Sequence, residues 1–235
     1  TCISATDPAK NSARPAKIRQ GGCNWQYLRI ISGRLRLMSN QIETQIDVSL
    51  TERNRVTALF RIILAVPVLI FVSSFSPSAA FSDEAVGIFA GLLALPAGLA
   101  IVFRQVYPSY VLVFNEALLS LQTRVDAYLV LLTDEYPSIE ENDVVSVTFP
   151  EVDAKQLNRW LPLIKWLLAL PLYLVGIVYF IYAAVLTLLG WFSILFTGNY
   201  PEVCAEGVVG TIAYWNRVVG YAFLLVTDEY PTFSL

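Results

Sequence analysis

"NRWLPLIKWLLALP", residues 158–171, aligns without gaps on "NRVTALFRIILAVP", residues 54–67, at an offset of 104. Asn, Arg, Leu64 with Leu168, Ala and Pro keep register, and Arg61 falls on Lys165. Further along, Tyr107-Pro108 matches Tyr200-Pro201 at an offset of 93, and "TDEYP" at 133–137 returns at 227–231 at an offset of 94. Self-similarity at a fixed spacing marks a repeated structural unit. The falling offset places about eleven extra residues in the first copy, where "SSFSPSAAFSDE" stands.

Each copy has the same order of parts. A short lead with strand-like alternation comes first, through Ile46, Val48 and Leu50 in one copy and Val145, Val147 and Phe149 in the other. Apolar segments follow, Val56 to Phe75 and Ala85 to Phe103 in the first copy, each close to the ~20 residues that cross a bilayer's hydrocarbon core. In the second copy Trp160 to Phe196 runs unbroken with one charge, Lys165. A straight helix of that length would reach about 55 Å, too long for a ~30 Å core, so two short spans or a re-entrant hairpin near Gly176 are expected. A third helix closes each copy. Over Val111 to Leu132, Phe114, Leu118, Leu121, Val125 and Tyr128 share a stripe, with Asn115, Glu116, Thr123 and Asp126 opposite. Over Val203 to Val226 the matching places are Val208, Ile212, Trp215, Val219 and Ala222, and Gly207, Gly210 and Gly220 allow a close helix approach. The expected fold is an all-α integral membrane protein of two tandem units, each a strand-like lead, a transmembrane helical hairpin and an amphipathic interfacial helix.

Composition agrees with this class and excludes others. Of 235 residues, 56% are hydrophobic and 15% charged, which departs from the usage of soluble domains. Histidine is absent, which rules out Ser-His-Asp and Cys-His nucleophile systems and histidine-ligated haem. Cys2, Cys23 and Cys204 are too scattered for a disulfide framework or a CxxC site. No phosphate-binding loop or HExxH is present. No catalytic, cofactor-binding or metal-binding residue is expected, and no cofactor.

Residues 1–37 carry seven of the sixteen basic residues and one acid, Asp7, and the only methionine is Met38. The expected natural start is Met38, with 1–37 a non-native or disordered basic leader; a basic tail for a membrane surface or nucleic acid is the rival. From Met38 onward nine basic residues face eighteen acidic ones, which disfavours nucleic acid as a partner. The expected division is a polar segment 38–53, unit 1 at 54–139, a cytoplasmic linker with a short strand at 140–157, and unit 2 at 158–235. Arg53, Arg55, Arg61, Arg104, Lys155, Arg159 and Lys165 flank the spans, while the tip at Ser82, Asp83 and Glu84 and the stretch Trp166 to Tyr200 hold no Lys or Arg. The positive-inside rule then puts both termini and the linker in the cytoplasm of a multi-pass protein.

Taken together, "NRWLPLIKWLLALPLYL", "WFSILFTGNYPE" and "LLVTDEYPTFSL" resemble the bacterial membrane proteins of domain-of-unknown-function family 4389. The resemblance covers Asn158 to Leu235 closely and Asn54 to Ile139 more loosely. It implies a bacterial inner-membrane location and units that occur singly or in tandem, and it brings no activity with it. The first copy departs from the pattern with "FRQVYP" in place of "LFTGNYP".

Two sets of residues stand out as a candidate structural clamp: Arg61 with Asp134 and Glu135, and Lys165 with Asp228 and Glu229. A basic group inside a span is costly unless it finds a partner or reaches the interface. Either the carboxylates pair with these cations, or Arg61 and Lys165 snorkel to headgroups while the acids are solvated. Tyr136 and Tyr230 are expected interfacial anchors, and Pro137 and Pro231 stop the helices. The expected function is that of a non-catalytic accessory or scaffold module whose partners are the bilayer, another membrane protein or a second copy. A small transporter or channel is the alternative, and a membrane enzyme the third choice.

Overall fold

The computed structural model describes residues 27–31, 41–51, 53–74, 94–138, 144–150, 152 and 157–235. The sequence expectations for Met38, for most of the leader, for the hairpin tip at 82–84 and for Lys155 lie outside the described residues. Three strands form one antiparallel sheet in the order β1 (Tyr27–Ile31), β2 (Glu43–Ser49), β3 (Val145–Thr148). β1 falls within the segment set aside as a leader and pairs with β2 from Tyr27 opposite Ser49 to Ile31 opposite Gln45. The two strand-like leads pair with each other, Ile46 opposite Val145. Alternation sets the faces: Ile42, Thr44, Ile46, Val48, Val145 and Val147 are buried, while Glu43, Ser146 and Thr148 are exposed.

Six helices lie among the described residues, α1 (Arg55–Ser74), α2 (Ala94–Arg104), α3 (Ser109–Leu129), α4 (Pro162–Leu168), α5 (Leu170–Thr197) and α6 (Glu202–Val219), the last continued by a π-helical turn, Gly220–Leu224. α3 and α6 form a middle layer. The buried face of the sheet packs on one side of them, bringing Ile46 and Val48 against Ala127, Leu131, Val208 and Val209. The outer helices pack on the other side, with Leu186 and Ile194 of α5 joining the same core.

This arrangement corrects three expectations. The long apolar run of the second half is neither a pair of spans nor a re-entrant hairpin. α4 and α5 follow one another with a single residue between them, Ala169, at φ −79° and ψ −8°. Pro171 lacks a backbone N–H, but Ala169 N–H donates to Lys165 O at 2.8 Å and Tyr173 N–H to Ala169 O at 2.9 Å, so the helical ladder crosses the joint. Gly176 is no turn. It is a point of contact with α6, where an added Cβ would stand 2.6 Å from the Trp215 ring. Gly176→Leu is therefore expected to push the helices apart and destabilise by about 1–3 kcal/mol, read as a lowered unfolding midpoint; Trp215→Ala in the same chain should recover part of the loss.

The second correction concerns the closing helices, which are core rather than interfacial. The third is that the polar side of α3 is not its wet side. Phe114 is exposed, whereas Asn115 and Thr123 are buried; Glu116 is half-buried and Asp126 exposed. Asn216 Nδ2 donates to Thr44 Oγ1 at 2.9 Å and to Thr123 Oγ1 at 3.1 Å, as buried polar groups require.

Matching places in the two halves use matching devices. Asn54 caps α1 and Asn158 holds the turn that leads into α4, each Oδ1 accepting a backbone N–H two residues on, from Val56 at 3.0 Å and Trp160 at 3.1 Å. Gln105 and Gly198, 93 positions apart, are both left-handed at φ 49° and 78°, and so are Leu131 and Leu225, 94 apart, at 67° and 58°. The change of offset falls at the π turn of α6, which holds one residue more than the end of α3. The halves also reach into each other: Tyr107 O–H donates to Leu224 O at 2.8 Å, and Tyr200 O–H to Val130 O at 3.4 Å. Thr123 and Asn216, 93 apart, meet each other.

Candidate functional site

Arg61 leaves α1 toward the interior and is 2% exposed. Its Nη1 donates to Tyr128 O at 2.7 Å and Thr133 O at 2.8 Å, its Nη2 meets Asp134 Oδ1, and the guanidinium lies 4.4 Å from the Tyr128 ring centroid. Lys165 of α4 is fully buried. Its Nζ donates to Thr227 O at 2.6 Å and pairs with Asp228 Oδ1 at 2.7 Å, 5.1 Å from the Tyr221 ring. Ring faces carry negative potential, so each cation is held by a carboxylate, carbonyl dipoles and an aromatic face together. The second oxygen of each carboxylate is also engaged: Asp134 Oδ2 accepts Asn54 N–H at 3.3 Å and Asp228 Oδ2 accepts Asn158 N–H at 2.7 Å. The same aspartate thus ties the start of the outer helix to the end of the middle one.

Thr133 and Thr227 close these turns, each Oγ1 accepting an N–H at 3.1 Å, from Glu135 and Glu229. Glu135 and Glu229 are themselves exposed, and it is the aspartates that pair with Arg61 and Lys165. Tyr136 and Tyr230, 46% and 39% exposed, are packed edge-on against Tyr128 and Tyr221 at 5.8 and 5.6 Å, so each is half anchored in the protein.

Arg53, by sequence a flanking charge, belongs to the first cluster. It is 5% exposed, with Nη1 at 2.7 Å from Ser49 Oγ and 3.3 Å from Asp134 Oδ1, and Nη2 on Leu131 O. Burial pushes its guanidinium down to about 10 and the Asp134 carboxylate opposes that shift, so it stays charged at neutral pH. The second half has no equivalent; Leu157 there packs with Ile101 and Leu225. The repeated Asn-Arg pairs at 54–55 and 158–159 carried a signal for the capping asparagines. Nothing local marked Tyr107 and Tyr200 as links between halves.

Residues 160–234 match the family model described as Domain of unknown function (DUF4389). This stretch of the chain belongs to that family. The DUF4389 segment contains the whole Lys165 cluster except Asn158, together with α5, α6 and the π turn, whereas the Arg61 cluster precedes it. No curated protein and no solved structure matches the chain. Among the described residues no group of three His, Cys, Asp or Glu is placed to hold a metal ion. Both aspartates are committed to cations and backbone N–H groups.

Proposed function

We propose that this chain is a non-catalytic membrane module of two tandem units that binds lipid or a partner membrane protein through its outer helices. One observation carries the proposal. The outer layer presents a continuous apolar surface, with Ile62 76%, Leu174 68%, Phe180 65% and Phe196 78% exposed, while the charged residues within those runs, Arg61 and Lys165, turn inward. An exposed apolar face of this extent is a binding surface for membrane or protein. Two helices, Arg55–Val72 and Leu170–Thr197, are long and apolar enough to cross a bilayer.

The paired asparagine turns, left-handed helix ends and cation clusters at matching offsets support the tandem reading. The exposed Arg55, Arg104 and Arg159 suit the anionic headgroup layer of a bacterial inner membrane. A groove of about 630 Å³ between α2, α4 and the π turn, lined by Leu99, Phe103, Trp160, Trp166 and Phe223 with Arg159, suits an acyl chain beneath an anionic headgroup. The test is affinity purification from gently solubilised native membranes, with mass spectrometry of what is retained. A stoichiometric protein makes the chain an accessory subunit, and a partner-free oligomer with bound lipid makes it a lipid-organising one. Recovery in the soluble fraction, or solute flux in proteoliposomes, would overturn the proposal.

A further inference from the structure

α6 is flanked along its whole length by elements of opposite character. On one side α4 and α5 run antiparallel to it: Lys165 touches Thr227, Tyr214 O–H donates to Leu172 O at 2.9 Å, Gly176 meets Trp215, and Gly190 lies against the Tyr200 ring. On the other side the β2 strand covers the same distance. Gln41 Nε2 donates to Tyr230 O at 3.3 Å at one end, and Leu50 O accepts Tyr200 N–H at 2.8 Å at the other. Ten extended residues reach about 30 Å, close to the roughly 35 Å of helix from Glu202 to Leu224. Glu43 on the far side of that strand is exposed, and Gln45 and Asp47 are partly so.

An orientation that stands α5 upright across a bilayer therefore stands β2 upright at the same depth. It would carry Glu43, Asp47 and the polar face of a sheet through hydrocarbon, where such groups are costly and open sheets do not occur. Turning the layers parallel to the membrane removes the conflict. We infer that the chain lies flat in one leaflet, with α1 and α5 sunk among the acyl chains along the membrane plane and the polar face of the sheet in water. This rests on the membrane reading above and replaces the multi-pass path that the apolar lengths suggest. Ile177, Ile181, Val185, Leu188 and Phe192 of α5 are all more than half exposed or at half, and no ionisable residue stands among them. Arg55, Arg104 and Arg159 are exposed at the ends of α1 and α2 and just before α4, where an anionic headgroup layer meets them. α5, at 28 residues, is about 42 Å long, more than a ~30 Å core needs and no obstacle to a helix lying in the plane.

The test places a nitroxide label in turn at Leu174→Cys, Ile181→Cys, Leu188→Cys and Glu43→Cys in the full chain. The background is Cys2→Ser, Cys23→Ser, Cys204→Ala, in vesicles of phosphatidylethanolamine and phosphatidylglycerol. Collision with oxygen and with a nickel chelate reports depth. Leu174 and Leu188 are fourteen residues apart, about 21 Å along a helix. The flat arrangement gives the three α5 labels one depth within a few ångström, in one leaflet, with the Glu43 label open to the chelate. A progression of depths through the bilayer centre overturns the inference and leaves the membrane reading standing. Labels shielded from both probes also overturn it, because a second copy then covers the face. Failure to associate with vesicles overturns both readings.

Discussion

Asp134→Ala is expected to lose about 3–5 kcal/mol of stability, the range for stranding a buried charge, and to be worse than Asp228→Ala. The reason is a count of cations. Asp134 Oδ1 faces both Arg61 and Arg53, whose side chains are 3% and 1% exposed, while Asp228 faces Lys165. Removing Asp134 leaves two guanidinium groups buried together with carbonyl oxygens, the Ser49 hydroxyl and the Tyr128 ring for partners but no anion, and their mutual repulsion is no longer offset. Asp134→Asn keeps the hydrogen-bond geometry and removes the charge, so it should fall between. Thermal unfolding in detergent, followed by circular dichroism, reads the order directly. Equal losses for Asp134→Ala and Asp228→Ala would show that Arg53 takes no part in the first cluster.

That asymmetry was outside what the sequence could show. Arg61 and Lys165 were legible as candidates because a cation inside an apolar run demands an explanation, and the repeated "TDEYP" offered one nearby in each copy. Arg53 precedes the apolar run, where a basic residue has an ordinary role as a flank, and only its burial under Leu131 and Ser49 gives it a second. The apolar stripes of α3 and α6 were legible as periodicities. Periodicity names a face without saying what covers the others. Here the cover is a sheet made from β2 and β3, which are about a hundred residues apart and pair only in the folded chain. The stripe therefore puts Thr123 on the polar side of its helix and says nothing of Asn216, although Asn216 bonds to both Thr123 and Thr44 in the interior.

The same blindness to cover explains Gly176. In a long apolar run, a glycine reads as a place for the chain to reverse. Its neighbours Val175 and Ile177, like the rest of α5, keep helical geometry, and the missing Cβ is used laterally by the Trp215 ring. Length also misled. An apolar run of 37 residues exceeds one span, but that limit binds only a helix standing upright, and α4 with α5 instead follows the full extent of the π-terminated α6.

The Lys165 cluster offers the cleaner double-mutant cycle, because one cation meets one carboxylate. Asp228→Ala should cost about 3 kcal/mol, the low end for stranding a buried charge, by leaving one fully buried ammonium with the Thr227 carbonyl and the Tyr221 ring. Lys165→Met should cost less, because the Asp228 side chain is 27% exposed and water can take the place of the lost donor. The pair Lys165→Met with Asp228→Asn strands no charge and is expected to be milder than the sum of the singles by 1 kcal/mol or more, the coupling that contacting partners show. Additive losses would mean that Lys165 and Asp228 are solvated separately, with the ammonium reaching headgroups. Exchanging the cations tests geometry instead of charge. Arg61→Lys gives up a fork that reaches two carbonyls and a carboxylate at once, which a point charge cannot bridge. Lys165→Arg forces a larger planar group into a site closed by Tyr221 and the Thr227 carbonyl. Both exchanges should destabilise although each restores the residue found at the matching place in the other half, because the halves share a clamp and have packed it around different cations.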